Sequence, residues 1–233
     1  MAEEEKKEDE KEPDRQLPGI EPVERYHSIM VGGETLNYLS RAGVLPLTDD
    51  KGKTEAEIFF TAYEVAPEKE GRQRPLTFVF NGGPGSSSIW LHMGACGPRR
   101  VKMEPGGWMP APPFVHEENQ STWLDRTDLV FIDPVETGLS RAVSEKLIDK
   151  FWGYQGDIES IGEFIRLYLS RYSRWGSPLF LAGESYGTTR AAGLADYLVN
   201  RGIVFNGIVL ISTALNLRPI FFQQGDDLPF HLF

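Results

Sequence analysis

An α/β fold, with an antiparallel meander leading into a mostly parallel sheet, is what this chain predicts, and three features predict it. The early β-branched and aromatic runs are separated by Gly32-Gly33 and by Asp49-Asp50-Lys51-Gly52, which suits tight antiparallel turns. Later runs are short, continuously apolar and spaced by helical stretches, as in a sheet buried on both faces. Between one such run and a helix stands Gly183-Glu184-Ser185-Tyr186-Gly187, a sharp strand-to-helix turn with a serine at its tip.

Taken in order, strands are expected over residues 27–31, 35–47 and 57–65 for the meander, then over 76–80, 129–132, 179–182 and 208–212. Ile158, Ile161, Phe164 and Ile165 recur at helical spacing and predict an amphipathic helix running to about Tyr172. A second helix is expected over 188–200. The Pro-rich stretch 108–123 reads as an irregular surface loop able to border a cleft.

The G-x-S-x-G turn makes Ser185 a candidate nucleophile. Its glycines allow a bend so sharp that Cβ atoms there would meet the neighbouring strand and helix. Upstream, Asn81-Gly82-Gly83-Pro84-Gly85-Ser86-Ser87-Ser88 follows a strand, where the Gly-rich oxyanion loop of an α/β-hydrolase stands. Glycines let backbone N–H groups approach a developing oxyanion. A phosphate cradle of the P-loop kind needs a lysine that this loop lacks. The fold class is therefore an α/β-hydrolase.

With Asp133-Pro134-Val135-Glu136-Thr137-Gly138-Leu139-Ser140 between them, these two motifs resemble the serine carboxypeptidase family, over roughly residues 71–228. The resemblance implies that Ser185 attacks the scissile carbonyl and forms an acyl-enzyme. It implies that the Gly83 and Tyr186 amides hold the oxyanion, and that Asn81, Gly82 and Glu184 grip a free C-terminal carboxylate. A Glu set against a carboxylate must share a proton with it, since like charges at close range cannot both persist. Peptide hydrolysis is then expected to weaken above neutrality.

Several positions depart from the family pattern. Val79 stands where a Trp is usual, Ser86 where a Cys is usual, and Ala95 where many members place a further Glu. Asp133 runs directly into Pro134, and Glu136 replaces a Gly. The missing Glu weakens the expected carboxylate grip. After Ser185 the acid and base candidates are Asp196, Asp226, Asp227 and His231, whereas the family's triad Asp and His lie far downstream. The chain is expected to be the N-terminal part of such a domain (residues 21–233), truncated before the last strands. An incomplete sheet would leave an apolar edge open. A peptidase, an esterase or acyltransferase of the same fold, and a catalytically dead remnant all remain open.

Composition narrows the rest. A net charge of −10, with residues 1–16 supplying −4, excludes a basic nucleic-acid stripe. Residues 1–20 read as a disordered acidic tail. No run is long enough for a membrane span, and no basic-then-apolar leader is visible. The resemblance nonetheless implies an extracytoplasmic or vacuolar setting. His27, His92 and His116 lack metal-ligand spacing, and neither metal nor organic cofactor is implied. Cys96, the single cysteine, excludes an intrachain disulfide and reads as a small buried residue.

Overall fold

The computed structural model describes residues 21–66 and 73–215, together with Arg15, Leu17 and Gly19. Most of the expected acidic tail, and Asp226, Asp227 and His231, lie outside the described residues. The described residues form ten strands: β1 (Val23–Val31), β2 (Glu34–Thr48), β3 (Thr54–Val65), β4 (Leu76–Phe80), β5 (Arg99–Val101), β6 (His116–Glu118), β7 (Asp128–Ile132), β8 (Arg141–Ala142), β9 (Leu179–Glu184) and β10 (Gly207–Ile211). The main sheet runs β1-β2-β3-β7-β4-β9-β10, with β8 pairing β3.

The meander forms as expected. β1 and β2 close on Gly32-Gly33, both at positive φ (60° and 88°), the backbone that a two-residue hairpin of matching twist requires. β2 and β3 turn over Asp49, whose Oδ1 accepts from the Lys51 and Lys53 amides at 2.9 Å each. From β7 onward the pairing is parallel, β7 to β4, β4 to β9 and β9 to β10. Every residue of β4 and β7 is buried. Phe78, Phe80, Val130 and Ile132 face one core, while Val79, Leu129 and Phe131 face the other. That explains why both strands are so rich in apolar residues, with Thr77 in β4 and Asp128 at the start of β7 as the polar exceptions.

Two long helices cover the first core: α1 (Tyr154–Arg171) and α2 (Tyr186–Val199). α1 buries Ile158, Ile161, Phe164, Ile165, Tyr168 and Leu169, the stripe its spacing predicts. None of the described helices is long and apolar enough to cross a membrane. Among the described residues β10 is paired on one side only, and its Ile208, Val209 and Leu210 are partly exposed.

One stretch differs from expectation. The 108–123 loop is not wholly irregular: β6 pairs antiparallel with β5, Glu104 bridges Trp108, and a 3-10 turn begins at Trp123. Asn119 makes this excursion regular, its Nδ2 donating to the Ala95 and Gly97 carbonyls at 2.6 and 2.8 Å. Such long-range side-chain bonds leave no local pattern.

His92 sits under this excursion, stacked on Phe131 with centroids 4.4 Å apart and bonded to the Tyr63 hydroxyl at 2.6 Å. Burial lowers its pKa from 6.5 to about 4. Between those values an unfolded chain takes up a proton that the folded chain refuses, so stability is full above pH 6.5 and falls towards pH 4. Burial raises the Asp128 and Asp133 carboxyls, which acts in the opposite sense. The difference between wild type and His92→Gln isolates the imidazole. Urea unfolding at pH 7 and pH 4 is expected to show wild type losing about 2 kcal/mol more than the variant; parallel losses would remove the effect.

Candidate active site

β9 delivers Ser185 to the start of α2. Ser185 has φ 57° and ψ −124°, a conformation that non-glycine residues adopt only when their surroundings enforce it, at a cost of order 1–3 kcal/mol. The enforcement is visible. The Ser185 amide donates to the Ile211 carbonyl at 2.9 Å, and the Thr188 amide and hydroxyl both donate to the Ser185 carbonyl, at 2.9 and 2.7 Å. Thr188 Oγ1 in turn accepts from the Ala214 amide at 2.8 Å.

The glycines are required by contact. A Cβ on Gly183 would lie 2.1 Å from the Gly187 carbonyl oxygen. On Gly82 it would lie 2.4 Å from the Tyr186 nitrogen and 2.7 Å from both the Glu184 oxygen and the Gly187 nitrogen. The Asn81-Gly82-Gly83 backbone therefore packs directly on the elbow, about a hundred residues away in the chain. The Gly83 and Tyr186 amides donate to no other described residue. A hydroxyl beside two unspent N–H groups is an arrangement able to stabilise a tetrahedral oxyanion.

Asn81 is almost fully buried. Its Oδ1 accepts from the Leu91 amide at 3.0 Å, which leaves Nδ2 to donate to Glu184 Oε2, also at 3.0 Å. Asn81, Gly83, Ser86, Trp90, Leu91, Glu184 and Ser185 line one open cleft of about 500 Å³. Of the six residues singled out by sequence, Asn81, Gly83, Glu184 and Ser185 line this cleft, while Gly82 packs against the Tyr186 nitrogen at the elbow.

No general base stands beside Ser185 among the described residues. Its Oγ makes no hydrogen bond to any of them. His27 bonds Ser40 at 2.9 Å, His92 bonds Tyr63, and His116 Nδ1 accepts from Arg99 at 2.8 Å. Asp196 is exposed on α2.

Two further anchors were missed by sequence reading. Arg190, on the inward face of α2, is 1% exposed; its Nε donates to both Asp157 oxygens, at 3.0 and 2.8 Å. Its Nη1 donates to the Asn81 carbonyl at 2.6 Å, so one guanidinium joins α1, α2 and the Gly-rich loop. The signal was present, since Arg190 shares its helical face with Tyr186, Gly187 and Leu194. Burial, with the Asp157 charge adding to it, pushes the Tyr186 phenol up to about 12. The second anchor is Asp133 of the middle motif, whose Oδ1 accepts from the Ser88 amide and hydroxyl at 2.9 and 2.8 Å. It holds the far end of the Gly-rich loop.

Comparison with known proteins bears on the family and the fold. The serine carboxypeptidase family profile matches residues 33–218. The pheromone-processing carboxypeptidase KEX1 of Saccharomyces cerevisiae is 28% identical over 171 residues, covering 68% of this chain and 22% of its own length. Serine carboxypeptidase-like 13 of Arabidopsis thaliana is 30% identical over 135 residues, covering 57% of this chain and 30% of its own. The crystal structure of KEX1 from S. cerevisiae, a prohormone-processing carboxypeptidase, aligns with a TM-score of 0.53 at 23% identity, over 74% of this chain and 38% of that one. That likeness is one of fold. The chain spans about a fifth to a third of the length of the curated relatives it matches.

Proposed function

The chain belongs to the serine carboxypeptidase family, and on that premise we propose that it carries the nucleophile and carboxylate-binding part of an enzyme releasing C-terminal residues from peptides. The observation supporting this most directly is the Asn81–Glu184 pair, 3.0 Å apart and lining the same cleft as Ser185. A general hydrolase needs only the serine and the oxyanion amides. A carboxyl-bearing residue held by an amide N–H next to the nucleophile suits a substrate that ends in a carboxylate.

Ser185 would add to the scissile carbonyl, Gly83 and Tyr186 N–H groups would take the oxyanion, and the terminal residue would leave as the amine. The base and its orienting acid would come from outside the described residues. Asn81 Nδ2 and a proton shared between Glu184 and the substrate would hold the terminal carboxylate.

The test compares a free-acid peptide with its C-terminal amide on the natural protein. The free acid is expected to be turned over at least about 10²-fold better in kcat/KM, the scale of a site built around one polar group. KM for the free acid should rise from about pH 5 to 8 as the shared proton is lost. Glu184→Gln, which presents an N–H without a proton to lose, should flatten that rise. Equal turnover of acid and amide would point to an esterase or acyltransferase instead. The dead-remnant reading draws on the engagement of all three described histidines elsewhere; labelling of Ser185 by a fluorophosphonate excludes it.

A further inference from the structure

The loop Gly83-Pro84-Gly85-Ser86 is a ridge between two hollows. Gly83 and Ser86 face the cleft that holds Asn81, Glu184 and Ser185. Pro84 and Gly85 line a second cavity of about 380 Å³. The elbow divides in the same way, with Ser185 lining the first hollow and Tyr186 the second. A peptide whose carbonyl carbon meets Ser185 Oγ, with its oxygen at the Gly83 and Tyr186 amides, straddles that ridge. If its terminal carboxylate lies at Asn81 and Glu184, the side chain on the acyl side of the scissile bond enters the second cavity. This placement rests on the carboxypeptidase reading.

The cavity walls are mainly apolar: Pro84, Val135, Phe151, Trp152 and Tyr186. Two carboxylates also line it, Glu136 and Asp157, and alone they would draw a lysine or arginine side chain. Each already has an arginine. Asp157 is held by buried Arg190. Glu136 is held by Arg15, whose Nη1 lies 3.0 and 3.3 Å from its two oxygens, and by the Ala142 amide at 2.9 Å. Arg15 is itself fastened, its amide donating to the Val143 carbonyl at 2.6 Å and its Nη2 to Glu145 at 3.1 Å. Glu136 stands where the resembled family motif has glycine.

We infer that the second cavity binds an uncharged apolar or aromatic side chain of the acyl-side residue, and that Arg15 sets this preference by occupying Glu136. The two acids differ in how firmly they are neutralised. Arg190 is enclosed, whereas the Arg15 side chain is one-third exposed and arrives from 121 residues away. Losing Arg15 would leave a half-buried carboxylate facing the cavity and would favour cationic side chains.

The test needs no turnover. Trp152 lines the cavity and is partly exposed, so its indole N–H resonance, assigned with Trp152→Phe, reports occupancy. The natural protein is titrated with N-acetyl-leucinamide and N-acetyl-lysinamide. The leucine compound is expected to bind at least about fivefold more tightly, and Arg15→Ala to cut that ratio by about threefold or more. A ratio unchanged by Arg15→Ala, a wild type that favours lysine, or no response of Trp152 to either compound overturns the inference. Fluorophosphonate labelling of Ser185 is followed in parallel. Failure to label strikes the hydrolase reading and leaves the cavity result standing.

Discussion

Ser185→Ala is expected to abolish fluorophosphonate labelling and peptide turnover while leaving stability unchanged within about 0.5 kcal/mol. Removing the nucleophile where a complete triad operates costs on the order of 10⁶ in kcat, against about 10³–10⁴ of residual acceleration from binding and oxyanion donors alone. The stability half follows from the local bonds. Ser185 Oγ bonds no described residue, so truncating it orphans nothing, and every bond that fixes the elbow runs through backbone or through Thr188. Alanine inherits the strain of φ 57°. Glycine does not, and Ser185→Gly is expected to be inactive yet more stable by about 1 kcal/mol. An inactive variant more stable than its parent marks a residue kept for chemistry. Labelling of Ser185→Ala at the wild-type rate would sink the assignment.

What could be read in the chain was whatever leaves a local trace. The run Leu76–Phe80 predicts β4 to the residue because its four apolar positions and Thr77 are bounded by Pro75 and by the Gly-rich loop. The elbow was legible because G-x-S-x-G is itself the steric requirement: Gly183 and Gly187 come within contact distance of one another. β9 runs two residues beyond its expected end, to Glu184, because β10 pairs with it up to Ile211. The Arg190–Asp157 and Arg15–Glu136 pairs could not be placed, since their members are 33 and 121 residues apart and only the sheet topology brings them together. An arginine on an apolar helical face says that a partner exists without saying which. β5 and β6 were not legible for a similar reason, being three-residue strands that pair across an intervening stretch of 14 residues and leave too short a local pattern.

Asp157→Ala is the substitution expected to cost most in folding, about 3–5 kcal/mol, because it leaves the Arg190 guanidinium buried without its counter-charge. Ordinary domains hold about 5–15 kcal/mol in total, so the loss reaches roughly a fifth or more of that reserve. At a urea slope of about 2–3 kcal/mol/M, the midpoint should fall by roughly 1–2 M. Water cannot readily rescue the charge: the Arg190 side chain is 1% exposed and lies between the Phe80 and Tyr186 rings, 5.3 and 5.2 Å from their centroids. Removing both charges together separates folding from positioning. Asp157→Leu with Arg190→Met keeps volume and removes both desolvation penalties, so most of the lost stability should return. The Asn81 carbonyl still loses its Arg190 donor, and with it the tie between the Gly-rich loop and α2. The double variant is therefore expected to unfold within about 2 kcal/mol of wild type, the worth of one orphaned carbonyl, yet to label at Ser185 more slowly. Asp157→Ala losing less than about 1 kcal/mol would show that the pair is solvated in solution. A double variant labelling at the wild-type rate would show that the loop keeps its place without Arg190.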